Sequence, residues 1–279
     1  MSGHPNREAG LNLEIQGVRT HVVCHGDGKP LLLLHGVGGP QIWQKMIEPL
    51  ALNFRVIVLH LPGFGKSDCP KGHLSTMEYS EVVGRVLDAL NISSATIVGT
   101  SYGAQIAAMF SSENPGRVDS LILIACTGLS GGSRFARNEV VWRLFSTLMK
   151  YTLLRSRSLL GLAGHGAFYD LRNRPPDLVE NFYSNISDDG KRDAWLNCVK
   201  NLSAPPDEFI SRLALITSPT LILWGAADRA VPTRDAFEFR RLMSHASLNI
   251  IPEAGHSLPL EKPGELCDAI TRFYRNEGR

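Results

Sequence analysis

The chain has 279 residues, of which 43% are hydrophobic and 20% charged, and its formal net charge is +2. These values are typical of a globular protein with a sizeable core, and they exclude a global electrostatic attraction to nucleic acid. The five cysteines include no CxxC pair, which argues against a zinc or redox motif. The chain starts with the polar stretch MSGHPNREAG and contains no apolar run of about 18 residues. We therefore expect a cytoplasmic protein.

The apolar pattern predicts strands and helices in alternation. Segments 11–17 and 19–26 alternate apolar and polar residues and predict a β-hairpin. Solid apolar runs, which predict strands buried on both faces, follow at 30–36, 54–60, 95–100, 119–126, 219–225 and 247–253. Helical periodicity occurs between them at 76–91, 101–114 and 234–245. This alternation predicts an α/β fold with a helix-covered, parallel sheet.

The alternation stops between residues 127 and 213, where no solid apolar run occurs. Amphipathic segments such as 139–151 take its place, and the strand pattern resumes at Pro219. We therefore predict a core domain formed by residues 1–126 and 214–279, with a helical cap inserted at 127–213.

The first part of this insertion is basic. Between residues 130 and 174 it contains Arg134, Arg137, Arg143, Lys150, Arg155, Arg157, Arg172 and Arg174, against Glu139 and Asp170. We favour a solvated helix face as the interpretation. The alternatives are attraction for a carboxylate-bearing substrate and contact of an amphipathic cap with an anionic membrane surface.

The stretch GTSYGA, residues 99–104, places Ser101 where a predicted strand meets a predicted helix. A nucleophile on such a sharp turn needs small neighbours, which Gly99, Gly103 and Ala104 provide. A serine hydroxyl is a weak nucleophile until a base takes its proton. Because Gly-x-Ser-x-Gly is short enough to occur by chance, the remaining loops decide its meaning.

Other loops contain the groups that such a serine requires. His256, in EAGHSLPLEKP, is the candidate base, and Asp228, in LILWGAADRAVP, is the candidate carboxylate that orients the imidazole. The glycines of HGVGGP, residues 35–40, allow a backbone amide to turn inward. We predict that the amides of Val37 and Tyr102 bind an oxyanion.

Together these motifs resemble the α/β-hydrolase superfamily over nearly the whole chain. HGVGG resembles its oxyanion loop, GTSYGA its nucleophile elbow, WGAADRAVP its acid turn, AGHSLPLEKP its histidine loop and LPGFGKS a further signature. The resemblance implies an eight-stranded, mostly parallel sheet with helices on both faces and a helical cap inserted after strand six. The chain departs from the family at His60, where an aspartate is usual, and we interpret this position as structural.

The resemblance also implies a serine hydrolase that uses no cofactor and no metal. The first hypothesis is cleavage of a small carboxylic ester, thioester or lactone through an acyl-enzyme on Ser101. The alternative is a carbon–carbon bond hydrolase of aromatic ring (meta-)cleavage products. That group usually has Asn before the serine and Trp after the histidine, where this chain has Thr100 and Ser257. A monoacylglycerol lipase-like enzyme, a haloperoxidase and a small-molecule receptor on the hydrolase scaffold are further hypotheses.

Four more residues are candidates for contact with the substrate: Gly38, Trp142, Val231 and Leu258. For Val231 and Leu258 plain packing is an equal alternative, and for Trp43, Trp142 and Trp195 it is the favoured interpretation. We expect His35 to shape the HGVGG loop. The expected partner is a small molecule with apolar and carboxylate parts, not a nucleic acid.

Overall fold

The computed structural model describes residues 9–130 and 134–277. Its strands are β1 (Ala9–Ile15), β2 (Val18–His25), β3 (Lys29–Leu34), β4 (Phe54–Leu59), β5 (Ala95–Thr100), β6 (Val118–Ile124), β7 (Thr220–Gly225) and β8 (Ser247–Ile251). They form one eight-stranded sheet in the order β1-β2-β4-β3-β5-β6-β7-β8. The β1–β2 and β2–β4 pairs are antiparallel, and all other neighbours are parallel. The predicted hairpin and the mostly parallel sheet are confirmed.

The helices alternate with these strands and also fill the long β6–β7 connection. Those of the core are α1 (Ile47–Ala51), α2 (Thr76–Ala89), α3 (Tyr102–Glu113), α10 (Arg234–Leu242), α11 (Leu258–Glu261) and α12 (Pro263–Glu277). Those of the connection are α4 (Arg134–Arg137), α5 (Glu139–Tyr151), α6 (Arg157–Ala163), α7 (Leu178–Asn185), α8 (Asp189–Ser203) and α9 (Phe209–Leu213). The helices predicted at 76–91, 101–114, 139–151 and 234–245 correspond to α2, α3, α5 and α10.

The core lies around the central strands. Leu31 to Leu34 of β3 are all fully buried, because β3 lies between β4 and β5 and helices cover the sheet. Burial of one leucine side chain stabilises a fold by about 1.5–3 kcal/mol. Strand β8 differs from its prediction, since it is an edge strand in which Ser247 and Asn249 are exposed. An edge strand has one neighbour and less cover, so its solid apolar pattern overstated its burial.

The described part of the β6–β7 connection consists of helices and the turns that join them. Its apolar side chains form a small second core made of Ala136, Trp142, Leu154, Leu160, Ile186 and Leu196. The division into a cap at 127–213 and a core domain stays a prediction. Within the described ranges, no helix combines the length and the hydropathy that crossing a bilayer requires.

The turn from β5 into α3 depends on glycine. Ser101 has φ 55° and ψ −121°, a conformation that residues with a side chain rarely adopt. A Cβ at Gly99 would lie 2.4 Å from the Gly103 carbonyl oxygen, and one at Gly103 would lie 2.2 Å from the Leu34 carbonyl oxygen. Both positions therefore exclude larger residues, and the turn holds Ser101 at the carboxyl edge of the sheet.

The loop after β4 contains His60, and its contacts agree with a structural role. His60 Nδ1 accepts a hydrogen bond from the Lys66 amide at 3.1 Å. The Ser67 hydroxyl donates to the His60 carbonyl at 2.6 Å and accepts the His21 amide at 2.8 Å. The pKa of His60 is lowered to about 3, mainly by burial and to a smaller extent by the nearby His35, His21 and Lys66. His60 is therefore a neutral acceptor at pH 7.

We expect Gly103→Ala to lower the free energy of unfolding by about 2 kcal/mol or more, because the new methyl group meets a backbone oxygen of β3. Gly116→Ala is the matched control, since a Cβ at Gly116 meets nothing within 4 Å; its expected effect is within about 0.5 kcal/mol. Urea denaturation of both variants measures the difference. Equal losses of stability would show that the β5–α3 turn does not require glycine.

The fold should lose stability in acid partly through His60. Below its ordinary pKa of 6.5 the unfolded chain protonates His60, whereas the folded chain does so only near pH 3. The free energy of unfolding therefore falls as the pH is lowered through this window, by up to about 1.4 kcal/mol per pH unit. His60→Asn keeps an acceptor for the Lys66 amide but does not titrate, so its stability should depend less steeply on pH. Urea unfolding from pH 7 to pH 4.5, with the exposed His245→Asn as control, tests this; parallel curves for wild type and His60→Asn would contradict it.

Candidate active site

Three side chains from separate loops meet at the carboxyl edge of the sheet. Ser101 follows β5, Asp228 follows β7 and His256 follows β8. His256 Nε2 lies 3.0 Å from Ser101 Oγ, and His256 Nδ1 lies 2.8 Å from Asp228 Oδ2. The structure thus brings the three predicted residues into one hydrogen-bonded series, in which an imidazole can accept the serine proton.

Asp228 is buried and held by the backbone of its own loop. Its Oδ1 accepts the amides of Ala230 at 2.8 Å and Val231 at 2.9 Å, which leaves Oδ2 for His256. Because a carboxylate only accepts hydrogen bonds, it orients the imidazole with a proton on Nδ1. His256 Nε2 is then free to accept a proton from Ser101.

Two backbone amides beside Ser101 have no acceptor within the described part of the protein. One belongs to Tyr102, the first residue of α3, and the other belongs to Val37. Tyr102 is buried and Val37 is half-buried. A buried amide without a partner is rare, because it costs free energy. Free amides at such a turn suit the negative oxygen of a tetrahedral intermediate.

His35 fixes the peptide group that contains the Val37 amide. Its Nδ1 donates to the Gly36 carbonyl oxygen at 2.7 Å, and the Gly39 amide donates to the same oxygen at 3.1 Å. Its Nε2 accepts the Leu61 amide at 3.1 Å, and burial lowers the pKa of His35 to about 4, so the ring is neutral. Since N–H and C=O of a trans peptide point in opposite directions, the Val37 amide points away from the His35 ring.

A cavity of about 310 Å³ opens beside Ser101 and His256. Its walls come from the glycine loop and from the β6–β7 connection, and they are mostly apolar. The connection contributes Leu153, Leu160, Phe168, Leu178, Val179, Phe182 and Trp195. Arg174 also lines the cavity, and no other lysine or arginine does so within the described ranges. The cavity therefore suits a small, largely apolar molecule with an anionic group.

The four residues predicted to contact the substrate are not all at this cavity. Gly38 lines it, whereas Trp142, Val231 and Leu258 do not. Trp142 lies in the small core of the connection, and Leu258 is fully buried in the main core. Val231 instead supplies one of the two amides that hold Asp228. Placing these three side chains at the substrate is therefore not supported by their positions.

Sequence reasoning did not single out the apolar wall of the cavity or Arg174, and it favoured plain packing for Trp195, which lines the cavity. The signal for the wall was the helical spacing of Leu178, Val179 and Phe182, which marks an apolar face on α7. Arg174 was one member of the basic run. Nothing in that run distinguished a residue that faces the cavity from those that face solvent.

Comparison with known proteins identifies a family and relatives for this chain. Residues 29–263 match the family model described as alpha/beta hydrolase fold. A 2-hydroxy-6-oxononadienedioate/2-hydroxy-6-oxononatrienedioate hydrolase of Cupriavidus pinatubonensis is 32% identical over 93% of this chain and 88% of its own length. The hydrolase of the same name from Escherichia coli (strain K12) is 31% identical over 98% of this chain and 99% of its own.

A solved structure shares the fold. It is a variant of the meta-cleavage product hydrolase from Pseudomonas fluorescens IP01, with a TM-score of 0.80 and 24% identity. The alignment covers 98% of this chain and 100% of that one. The family model spans most of the chain, including the loops that hold Ser101, Asp228 and His256. The chain therefore belongs to the α/β-hydrolase fold family.

Proposed function

We propose that this α/β hydrolase cleaves a carbon–carbon bond next to a carbonyl group in a carboxylate-bearing product of aromatic ring cleavage. The observation that carries the proposal is Arg174, a cation at an apolar cavity beside Ser101 and His256. The names of the relatives from Cupriavidus pinatubonensis and Escherichia coli support it, since both denote hydrolases of dienedioates or trienedioates.

Arg174 differs from most of the basic run in its lack of a counter-charge. Several members form ion pairs with acidic side chains, namely Arg137 with Asp207, Lys150 with Asp193, Arg155 with Asp189, Arg157 with Glu180 and Arg172 with Asp170. Within the described residues, no carboxylate lies within ion-pair distance of Arg174, whose Nη1 has only a 3.5 Å contact with the Gly161 carbonyl. A half-buried guanidinium at a cavity wall suits a carboxylate of the substrate.

The proposed reaction begins at the carbonyl carbon next to the bond that breaks. Ser101 Oγ attacks this carbon, His256 takes the serine proton, and the amides of Val37 and Tyr102 bind the oxyanion. When the tetrahedral intermediate collapses, the electron pair of the carbon–carbon bond passes into the conjugated fragment held by Arg174, and that fragment takes the proton from His256. Asp228 stabilises the imidazolium between these steps.

Water completes the cycle. His256 accepts a proton from a water molecule, whose oxygen attacks the acyl group on Ser101. The second tetrahedral intermediate collapses, the serine takes its proton back from His256, and the acyl fragment leaves as a carboxylic acid. The residues in these roles require no metal or cofactor.

Hydrolysis of a carboxylic ester, thioester or lactone is the second candidate. The same hydrogen-bonded series and amides would perform it, with an alkoxide or thiolate as the leaving group. The observation that favours it is the pair Thr100 and Ser257, which both line the cavity. They occupy the positions at which carbon–carbon bond hydrolases usually have Asn and Trp.

A substrate panel separates the two candidates. We expect kcat/KM to be higher for a ring-cleavage dienoate than for p-nitrophenyl acetate. Cleavage of the dienoate is followed by the loss of its visible absorbance. Ser101→Ala should lower both activities by about a thousandfold or more, because the nucleophile is lost. A preference for the ester would favour the second candidate. Full activity of Ser101→Ala on both substrates would contradict the proposed nucleophile, and a single turnover of wild type on every substrate would instead favour a receptor.

Arg174→Gln should raise KM for the dienoate about 10- to 100-fold, because the variant loses one charge-assisted hydrogen bond to the substrate. Its effect on p-nitrophenyl acetate should be small, because that ester has no carboxylate. Arg172→Gln is the matched control: it removes a cation two residues away that pairs with Asp170 and does not line the cavity. Equal effects of the two variants would show that Arg174 acts only through overall charge.

A further inference from the structure

Two side chains of the β6–β7 connection hold the glycine loop of the core. Trp195, on α8, donates its indole N–H to the Val37 carbonyl oxygen at 3.0 Å. Asn185, at the end of α7, donates from Nδ2 to Gln41 Oε1 at 2.7 Å, and Gln41 Nε2 in turn donates to the Gly38 carbonyl. Two consecutive carbonyls of the loop are thus held from the connection, one directly and one through Gln41.

These contacts complete the restraint on the Val37 amide. The core fixes the peptide group before Val37, because His35 and the Gly39 amide both donate to the Gly36 carbonyl. The connection fixes the peptide group after Val37, because Trp195 donates to the Val37 carbonyl. With both flanking peptide planes held, the direction of the Val37 amide is determined.

The loop itself supplies little of this restraint. Gly36, Gly38 and Gly39 flank Val37, and glycine has a wide choice of backbone conformations. A Cβ at Gly39, which has φ 93°, would lie 2.5 Å from Asn185 Nδ2. The absence of a side chain at this position is therefore what allows Asn185 to approach Gln41.

Two of these three side chains, Trp195 and Gln41, also face the cavity. Trp195 and Phe182 both line it and pack edge to face, with ring centroids 6.0 Å apart and an interplanar angle of 85°. Gln41 lines it as well. A substrate in the cavity would therefore lie against Trp195 and Gln41, two of the groups that hold the loop.

We propose that Trp195, Asn185 and Gln41 are positioning residues that keep the Val37 amide aimed at the oxyanion. The β6–β7 connection thereby contributes to stabilising the tetrahedral intermediate, in addition to forming the cavity wall. This inference rests on the proposed roles of Ser101 and Val37, but it does not depend on which substrate is cleaved.

Phenylboronic acid is the probe that tests this role. Ser101 Oγ forms a bond to boron while its proton passes to His256, and one hydroxyl of the resulting tetrahedral boronate occupies the oxyanion position. The dissociation constant of this adduct reports on the oxyanion donors. The constants kcat and KM for p-nitrophenyl acetate are those of the acylation step, taken from the pre-steady-state release of p-nitrophenol, so that this KM reports mainly on the cavity wall. Both are measured on the full chain.

Trp195→Phe keeps an aromatic ring on the cavity wall but removes the indole donor. Gln41→Glu still accepts from Asn185 but has no donor for the Gly38 carbonyl. Each variant should weaken boronate binding and lower kcat by about tenfold, less than the complete loss of an oxyanion donor, with KM changed by less than about twofold. Gln44→Glu is the matched control for Gln41→Glu, because Gln44 is exposed and does not line the cavity; it should leave both constants within about twofold.

Two results would overturn the inference. One is wild-type boronate affinity and kcat in both Trp195→Phe and Gln41→Glu. The other is a raised KM with unchanged kcat, which would make Trp195 a wall of the cavity only. The Ser101→Ala variant distinguishes these two results from failure of the proposed function. If this variant binds the boronate as tightly as wild type does, Ser101 is not the nucleophile and the proposed site itself is wrong.

Discussion

The site depends on the close approach of helix α3 to the sheet at Gly103, where a Cβ would lie 2.2 Å from the Leu34 carbonyl oxygen. This contact brings the start of α3 against the end of β3, so that Ser101 and the glycine loop after β3 lie side by side. Ser101 adopts a positive φ at this turn, a conformation that costs of order 1–3 kcal/mol and persists only where the surrounding structure imposes it. The fully buried leucines of β3 belong to the rigid core that can impose it.

The parallel arrangement of the strands explains why residues distant in sequence meet. Strands β3, β5, β7 and β8 all end at one edge of the sheet, and the loops that follow them contain Val37, Ser101, Asp228 and His256. Each loop then fixes its own functional group locally. The Asp228 carboxylate is held by two amides of its own turn, and the Gly36 carbonyl is held by the adjacent His35.

The sequence predicted those features that are encoded within one short segment. Ser101, Asp228 and His256 each follow an apolar strand in a loop of recognisable composition, so their convergence could be inferred without coordinates. Trp142 and Leu258 could not be placed, because their surroundings are set by how helices distant in sequence pack together. For the same reason Arg174 was not separated from arginines that form surface ion pairs, and the contact between Trp195 and Val37, 158 residues apart, was not predicted.

The hydrogen bond from the Trp195 indole to the Val37 carbonyl also limits how freely the two parts of the chain can be exchanged. Consider a chimera that combines this sheet with the β6–β7 connection of another relative. Its cavity would have a new wall, and the glycine loop, which the chimera keeps, would have different hydrogen-bond donors. Changes of specificity made by grafting would therefore carry an effect on turnover, unless the graft retained an indole and an amide at these two places.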